Sequence, residues 1–509
     1  MSPDPAASTS TEAVQAPQAS SAVRPAPEEE GGRAVLDDKA STTGSQVPEP
    51  SQPRGPHLRE RRLLLLIGDL AASNLALLAA VLWRGWWDLP GNVAPAWWFV
   101  TLTVLAVIIT RVSDSDDVAL AANPYASSYA SGRAGLITTM LYLFAPYVSA
   151  PLPQSRAAMV LFLLVSLILR VGWRAGYALL IRQPRFATRL AVVGHGPSAQ
   201  SFVAAVQAYT GPEHQIVGCV VDRSEDTHSV IEGAPLLGGP EALGELVERR
   251  AVSLIVLALQ GPMSSAISAQ VIRAYEAGVQ IVPMAAYYES LTGRVPIDQV
   301  GDYWIFAVPA AQLDWPSALA KRVTDVVGAL VGLAIILLAI VPIATAVRLS
   351  GPGPIVFTQT RAGLRGRQFR VRKFRTMAAD AELAGEAQWA VPDDPRVTWA
   401  GRWLRASRLD ELPQFWNVLR GEMSLVGPRP ERPEFIAQLQ ETIPFYRARL
   451  LVKPGITGWA QVKQEYAGSL EDTVVKLQYD LYYINHQSLY LDLLILLKTV
   501  SVILRLQGR

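Results

Sequence analysis

The chain has 509 residues, 50% of them hydrophobic and only 18% charged, against about 25% charged in ordinary soluble domains, so membrane segments are expected. The formal net charge is +2, yet a basic excess gathers after Lys321, which suits anionic substrates or lipid headgroups. The single cysteine, Cys219, excludes an intramolecular disulfide and a cysteine-rich metal site, and the scattered histidines offer no zinc spacing, which leaves Mg2+ (or Mn2+) on oxygen ligands as the expected metal.

Residues 1–56 are rich in Pro, Ala, Ser, Thr and Glu and lack apolar periodicity, so a solvated, disordered tail is predicted. No short apolar core with a cleavage site opens the chain, and no cleaved signal is expected. Four apolar runs follow, Leu63 to Trp83, Ala94 to Thr110, Ala134 to Ala150 and Ala157 to Leu180, each near the length that crosses a bilayer. They predict a four-helix transmembrane bundle over 57–182. Arginines cluster before the first run (Arg59, Arg61, Arg62) and after the fourth (Arg182, Arg185, Arg189), which places both ends in the cytoplasm. Asp69 lies inside the first run without an assignable role. Arg170 and Arg174, near the end of the fourth, are expected to snorkel toward the headgroups.

The next stretch reads strand, Gly-x-Gly-x-x-Ala, helix, strand, acid: Thr188 to Val193, Gly194 and Gly196, a helical run to about Ala208, Gln215 to Val221, then Asp222. This is the opening half of a dinucleotide fold. With further strands at Ser253 to Leu259 and Val279 to Pro283, it predicts a Rossmann-like α/β domain over 183–312. Gly194, Gly196 and Asp222 are its candidate cofactor-binding residues. The alternative is a scaffold whose glycines only make a tight turn. No lysine occurs between Arg189 and Ala320, so the Tyr-x-x-x-Lys pair of short-chain dehydrogenases is missing.

Lys321, Arg322 and Asp325 introduce another apolar run, Val326 to Val347, with Pro342 inside it. Proline removes a helical hydrogen bond and favours a kink. The following arginine-rich stretch, Arg361 to Arg375, carries alternating Phe369, Val371 and Phe374, which suggest a strand with one buried face. Beside a membrane segment these cations suit lipid headgroups and substrate phosphates, not nucleic acid. The last run, Leu489 to Leu506, is broken by Asp492, Lys498 and Arg505 and is expected to lie in the membrane interface.

Between them, the adjacent acids Asp410 and Glu411 stand among Arg402, Arg405, Arg408, Arg420 and Arg429. Arginines hold and neutralise phosphate oxygens, and a carboxylate can attack phosphorus or carry a hard cation. The alternative is that Asp410 is an N-cap and Glu411 a first-turn acid.

Four motifs occur in order: KFRTM (Lys373 to Met377), DPRVTWAGRWLR (Asp394 to Arg405), LDELPQFWNVLRGEMSLVGPRP (Leu409 to Pro430) and KPGITGWAQV (Lys453 to Val462). Over roughly Ser317 to Arg509 they resemble the bacterial sugar transferase family, the large monotopic polyprenyl-phosphate hexose-1-phosphate transferases, or phosphoglycosyl transferases. The resemblance implies a membrane protein of mixed α and α/β class. Its parts would be the N-terminal four-helix membrane bundle, the Rossmann-like domain, and a mostly helical monotopic transferase domain over 313–509. A re-entrant membrane helix over 321–348, bent near Pro342, would keep both its ends cytoplasmic.

The implied reaction moves a hexose-1-phosphate from a UDP-sugar to undecaprenyl phosphate and releases UMP. It is the priming step of exopolysaccharide, capsule or O-antigen assembly at the bacterial cytoplasmic membrane. Asp410 would be the nucleophile, with Glu411 beside Mg2+ or handling a proton, and both acids are candidate metal ligands. Lys373, Arg375, Arg396, Arg405, Arg429, Lys453, Gln461 and Asp480 are the candidate substrate-binding residues. Arg396, Arg405 and Arg429 are the phosphate-clamp candidates, each with a structural ion pair as its alternative. Trp459 would stack on a uracil or fill the core. The implied partners are the UDP-sugar, undecaprenyl phosphate, membrane lipids and, from large relatives, a second copy in a homodimer. The rival reading is a membrane-anchored nucleotide-sensing or assembly scaffold with an inactive transferase domain.

Overall fold

The computed structural model describes residues 58–84, 96–121, 123–145, 149–150, 152, 155–181, 187–211, 214–222, 231–259, 261–297, 313–378, 394–464 and 469–504. The predicted tail over 1–56 lies outside them, as do Arg182 and Arg185.

Helices α1 (Leu58–Arg84), α2 (Ala96–Val112), α4 (Pro124–Leu143) and α5 (Arg156–Ile181), with the short α3 (Val118–Ala121), open the fold. α1 packs on α5 and α2, and α4 packs on α5 and α2. Among the described residues, Glu60–Trp83, Arg156–Leu180 and the later Trp315–Leu349 are long and apolar enough to cross a membrane, and α2 is a shorter apolar helix. α4 starts ten residues before the expected Ala134 and ends at Leu143. The cause is local: Asn123 accepts from the amides of Tyr125 and Ala126, and Pro124 opens the helix.

Arg170 and Arg174 do not snorkel. Both are fully buried against α1, where Arg174 forks onto Asp69 at 2.6 and 3.1 Å. Arg170 donates to Ser73 Oγ at 2.8 and 2.9 Å, and Ser131 donates to Asp69 Oδ1 at 3.1 Å. A carboxylate facing the arginines from the neighbouring helix supplies their counter-charge inside the helix packing.

The middle of the chain forms β1 (Thr188–Val193), α6 (Gly196–Tyr209), β2 (His214–Val220), β3 (Leu236–Gly238), α7 (Pro240–Glu248), β4 (Leu254–Leu257), α8 (Ser265–Glu276), β5 (Gln280–Pro283) and α9 (Met284–Thr292). The five strands are parallel in the order β3-β2-β1-β4-β5, the doubly wound arrangement. Strand alternation splits the core into two layers. Leu190 and Val192 face α6 and α9, and Ala191 and Val193 face α7 and α8.

The remainder forms α10 (Trp315–Leu349), β6 (Val356–Ala362), β7 (Gln368–Phe374), α11 (Trp399–Ala406), α12 (Gln414–Leu419), β8 (Ser424–Val426), α13 (Pro433–Thr442), β9 (Gly455–Thr457), α14 (Trp459–Lys463), α15 (Leu470–Asn485) and α16 (Leu489–Leu504). α10 is helical over its whole length, with Pro342 inside it. Its buried positions are Asp325, Ala329 and Gly332 near the start and Ile343 and Val347 near the end. α16 carries its charged residues on its protein-facing side. Its Asp492 and Lys498 are buried and paired with Lys321 and Asp114, each at 2.6 Å, so its charges turn into the protein. Val295 and Ile297, upstream of residue 313, are buried in the hydrophobic cluster of this C-terminal part.

Candidate active site

The hairpin β6–β7 supplies the first cation. Phe369, Val371 and Lys373 share one face of β7 by strand alternation, and Val371 is buried in the core. Lys373 is thereby aimed inward, and its Nζ donates to Glu411 Oε1 at 2.8 Å. Asn417 on α12 locks this relationship. Its Nδ2 donates to Arg370 O at 2.8 Å and its Oδ1 accepts from Arg372 N at 3.3 Å. The acids sit in a 3-10 turn, Leu409–Glu411, entered through Arg408 at φ 55 and followed by Pro413 and α12. Asp410 and Glu411 are both buried.

Glu411 is saturated on one oxygen. Arg429 Nη2 also donates to Oε1 at 2.8 Å, and Arg408 lies 3.9 Å from Oε2. Burial alone would raise its pKa, but Arg429 and Lys373 outweigh it and hold the carboxyl well below the usual range. Asp410 is the opposite case. Its carboxylate takes no hydrogen bond among the described residues, and burial followed by the Glu411 charge pushes its pKa up to about 6. Burial lowers the Lys373 pKa against the pull of Glu411. Arg405 donates to Thr376 Oγ1 at 3.0 Å, and burial lowers its pKa against the charges of Asp410 and Asp394.

Arg429 stands on the turn Gly427–Glu431, which is held at successive carbonyls. Gly455 N binds Pro428 O at 2.9 Å, and Ala362 N binds Glu431 O at 2.9 Å. Arg449 binds Arg429 O at 3.0 Å, and Arg361 binds Pro430 O at 3.3 Å. The turn lies against the Lys453–Gly458 loop through the parallel pair β8–β9. A Cβ on Gly455 would sit 2.1 Å from Gly427 N, so only glycine allows this approach. Gln461 Oε1 accepts from Arg429 Nη1 at 3.2 Å, and its Nε2 is buried with no acceptor among the described residues. That leaves an open donor beside the guanidinium.

Of the residues singled out from the sequence, Lys373, Arg405, Asp410, Glu411, Arg429 and Gln461 come together here. Arg396 is adjacent but forks onto Asp394 at 2.6 and 2.8 Å, a bond that takes the Asp394 pKa down to about 2. Asp480 lies one layer behind, bound to Arg449 at 2.9 Å. Arg375 donates to the carbonyls of Val347, Gly351 and Pro352 and so ties down the loop after α10. Lys453 belongs with Lys321 and Arg322 near the start of α10, where burial and then Arg322 lower its pKa.

In the middle domain, Gly194 (φ 143) and Gly196 (φ 68) make the turn from β1 into α6. Asp222 is bound to the hydroxyl and amide of Ser264, the cap of α8. Asn417, Arg449 and Glu431 escaped notice in the sequence. Each has partners distant along the chain, Arg370 for Asn417, Asp480 for Arg449 and Lys476 for Glu431, which no local spacing marks.

Three acid oxygens remain for a cation, the two of the Asp410 carboxylate and Glu411 Oε2. No cluster of three His, Cys, Asp or Glu gathers among the described residues. That donor set fits Mg2+, which is commonly held by one or two carboxylates plus substrate phosphates.

The fold and this site define a membrane-associated α/β protein with an acid pair caged by cations. Residues 316–506 match the family model described as bacterial sugar transferase, and residues 133–285 match a CoA-binding domain. A UDP-N-acetylgalactosamine-undecaprenyl-phosphate N-acetylgalactosaminephosphotransferase of Aeromonas hydrophila is 44% identical over 42% of this chain and 50% of its own length. An undecaprenyl-phosphate glucose phosphotransferase of Komagataeibacter xylinus is 32% identical over 62% and 59%. A UDP-glucose:undecaprenyl-phosphate glucose-1-phosphate transferase of Caulobacter vibrioides is 44% identical over 36% and 70%. The chain thus spans 50% and 59% of the first two relatives. It belongs to the bacterial sugar transferase family.

Proposed function

We propose that this protein transfers a hexose-1-phosphate from a UDP-sugar to undecaprenyl phosphate. The observation that carries the reading is the contrast between neighbours: Glu411 is bound by Lys373 and Arg429, while Asp410 is left open. The relatives' names supply the donor and acceptor classes. In the first step an Asp410 oxygen attacks the sugar-side phosphorus. The P–O bond to UMP breaks, and UMP leaves with the electron pair. In the second, an oxygen of undecaprenyl phosphate attacks the aspartyl phosphosugar and releases the Asp410 carboxylate.

The two steps predict ping-pong kinetics. Lys373, Arg405 and Arg429 offset the repulsion between carboxylate and diphosphate, roughly 4 kcal/mol for two unit charges about 4 Å apart at an effective dielectric near 20. Asp410 and Glu411 would hold Mg2+, which supplies further charge neutralisation on the phosphate oxygens. A scaffold with an inactive transferase domain would not need this cage.

The same reading places α1, α2, α4 and α5 in the bacterial cytoplasmic membrane as a four-helix bundle, with the site on the cytoplasmic side. α10 then enters the lipid and returns. Its support is that one domain holds both its ends. Ser424 and Leu425 bind Asp325, and Arg375 binds Val347 O. Between them Leu337, Leu338 and Val341 are 77%, 85% and 71% exposed. The deciding experiment is UMP release by purified protein from a panel of UDP-sugars, with and without undecaprenyl phosphate, before and after chelation. Acceptor-dependent release with one or more sugars is expected. No release from any donor overturns the reading.

A further inference from the structure

The family matches end at residue 285 and resume at residue 316. A segment between them, Gly293 to Ile297, leaves the middle domain and enters the transferase core. Val295 and Ile297 are buried in one cluster with Trp459, Ala460, Leu477 and Tyr479. Val295 N donates to Gln478 O at 3.2 Å, and the Arg294 guanidinium lies 4.7 Å from the Tyr479 ring centroid. Trp459 Nε1 donates to Gly293 O at 3.0 Å. Gly293 holds φ 66, and a Cβ there would lie 3.4 Å from the indole, an ordinary contact, so the ring packs against this turn.

Trp459 is the first residue of α14, and Gln461 follows on the same short helix. Gln461 in turn accepts from Arg429, and Arg429 donates to Glu411. A continuous chain of contacts therefore runs from the Gly293 carbonyl to the catalytic acid pair. The indole ring already has packing partners, Tyr482 stacked at 5.9 Å and Lys463 at 5.1 Å. Its N–H is not needed to fill space; what that bond adds is a fixed orientation for α14.

We infer that the strap Gly293 to Ile297 is a positioning element of the transferase site, acting through Trp459, which holds Gln461 on Arg429 and Arg429 on Glu411. This rests on the transfer reading above. It also makes the strap part of the catalytic unit, so a truncate beginning at Ser317 lacks one support of its own active site.

The test uses the full chain with Trp459→Phe, which keeps a ring and removes the N–H. The expected result is a kcat lowered about tenfold, with KM for the UDP-sugar changed less than about twofold. Hydrogen exchange should quicken in Gly427 to Glu431 and Trp459 to Lys463 while the sheet of the middle domain keeps its protection. In a Gln461→Ala background, Trp459→Phe should add little, because both act through Arg429. Val295→Ala, which loosens the strap without touching the indole, should give the same pattern at smaller size and serves if Trp459→Phe does not fold.

Unchanged exchange in the Arg429 turn, or losses that simply multiply with Gln461→Ala, overturns the inference. Wild-type protein that releases no UMP defeats the transfer reading instead, and the exchange data still decide on the strap.

Discussion

Arg429 donates to Glu411 Oε1 at 2.8 Å, on the same oxygen that accepts Lys373. The two acids of the pair thus divide their roles. Glu411 is fixed and ionised, which makes it a poor proton carrier and a good organiser of cations. Asp410, beside it and unbonded, is the oxygen free to react.

The pH dependence follows from that division. As the proposed nucleophile Asp410 would have to be ionised to attack, and burial pushes its pKa up to about 6. kcat/KM should therefore rise with pH up to about 6 and then level. Glu411→Gln removes the neighbouring charge that helps raise Asp410, so the residual activity of that variant should show the same limb at lower pH. Asp410→Asn should lower transfer by at least about a thousandfold with folding intact. A limb that stays in place in Glu411→Gln, or substantial turnover by Asp410→Asn, removes Asp410 as the nucleophile.

Asp480 provides a second test. The sequence suggested a substrate ligand, but its carboxylate binds Arg449, which supports the Arg429 carbonyl. Asp480→Asn keeps an acceptor for Arg449 and should retain kcat within about threefold, whereas Asp480→Ala should lower it about tenfold or more. KM for the UDP-sugar should stay nearly constant in both. A raised KM in Asp480→Asn would show direct substrate contact instead.

What could be read in advance depended on distance along the chain. Asp410 and Glu411 are neighbours, and Arg429 stands in a motif of unusual residues, so all three stood out in the sequence before the fold brought Arg429 onto Glu411. The strands Thr188–Val193 and Gln280–Pro283 were legible because apolar, β-branched runs between turn residues mark them; Leu236–Gly238 is too short to show such a pattern. Arg449 was not legible, because its value lies in two partners, Arg429 and Asp480, that only the folded chain assembles. Hydropathy flagged Asp69 and Arg174 as misfits in apolar runs but could not pair them across 105 residues.

That buried pair makes a stability prediction. Asp69 is the carboxylate that forks onto Arg174, with Arg170 3.9 Å away. Asp69→Asn leaves two buried arginines without a counter-charge and should destabilise the protein by about 3–5 kcal/mol. Replacing Asp69 by Leu together with both Arg170 and Arg174 by Met should cost much less, since all three charges go. Thermal unfolding of the detergent-solubilised protein measures both. Equal midpoints for Asp69→Asn and wild type would mean the ion pair is not what holds α1 to α5.

The topology of α10 gives the last prediction. At 35 residues it is about 52 Å long if straight, ample to cross the roughly 30 Å hydrocarbon core. Yet Lys321 near one end binds Asp492 and Val426 O, while Ile343 and Val347 near the other pack on Phe374 and Leu404. Phe374 adjoins Lys373, whose partner is Glu411. A crossing helix would have to divide that domain between the two sides of the membrane. Re-entry keeps it together and needs only a kink at Pro342, whose missing N–H frees the carbonyl of Leu338. That carbonyl must then be satisfied within the protein, since lipid offers no donor. On a Cys219→Ser background, Asp314→Cys and Gln368→Cys should both resist an impermeant thiol reagent in intact cells and both react once the membrane is permeabilised. Labelling of both in intact cells would reverse the orientation but leave re-entry standing. Labelling of Gln368→Cys alone would mean that α10 crosses the membrane and that the site does not lie on the side of the middle domain.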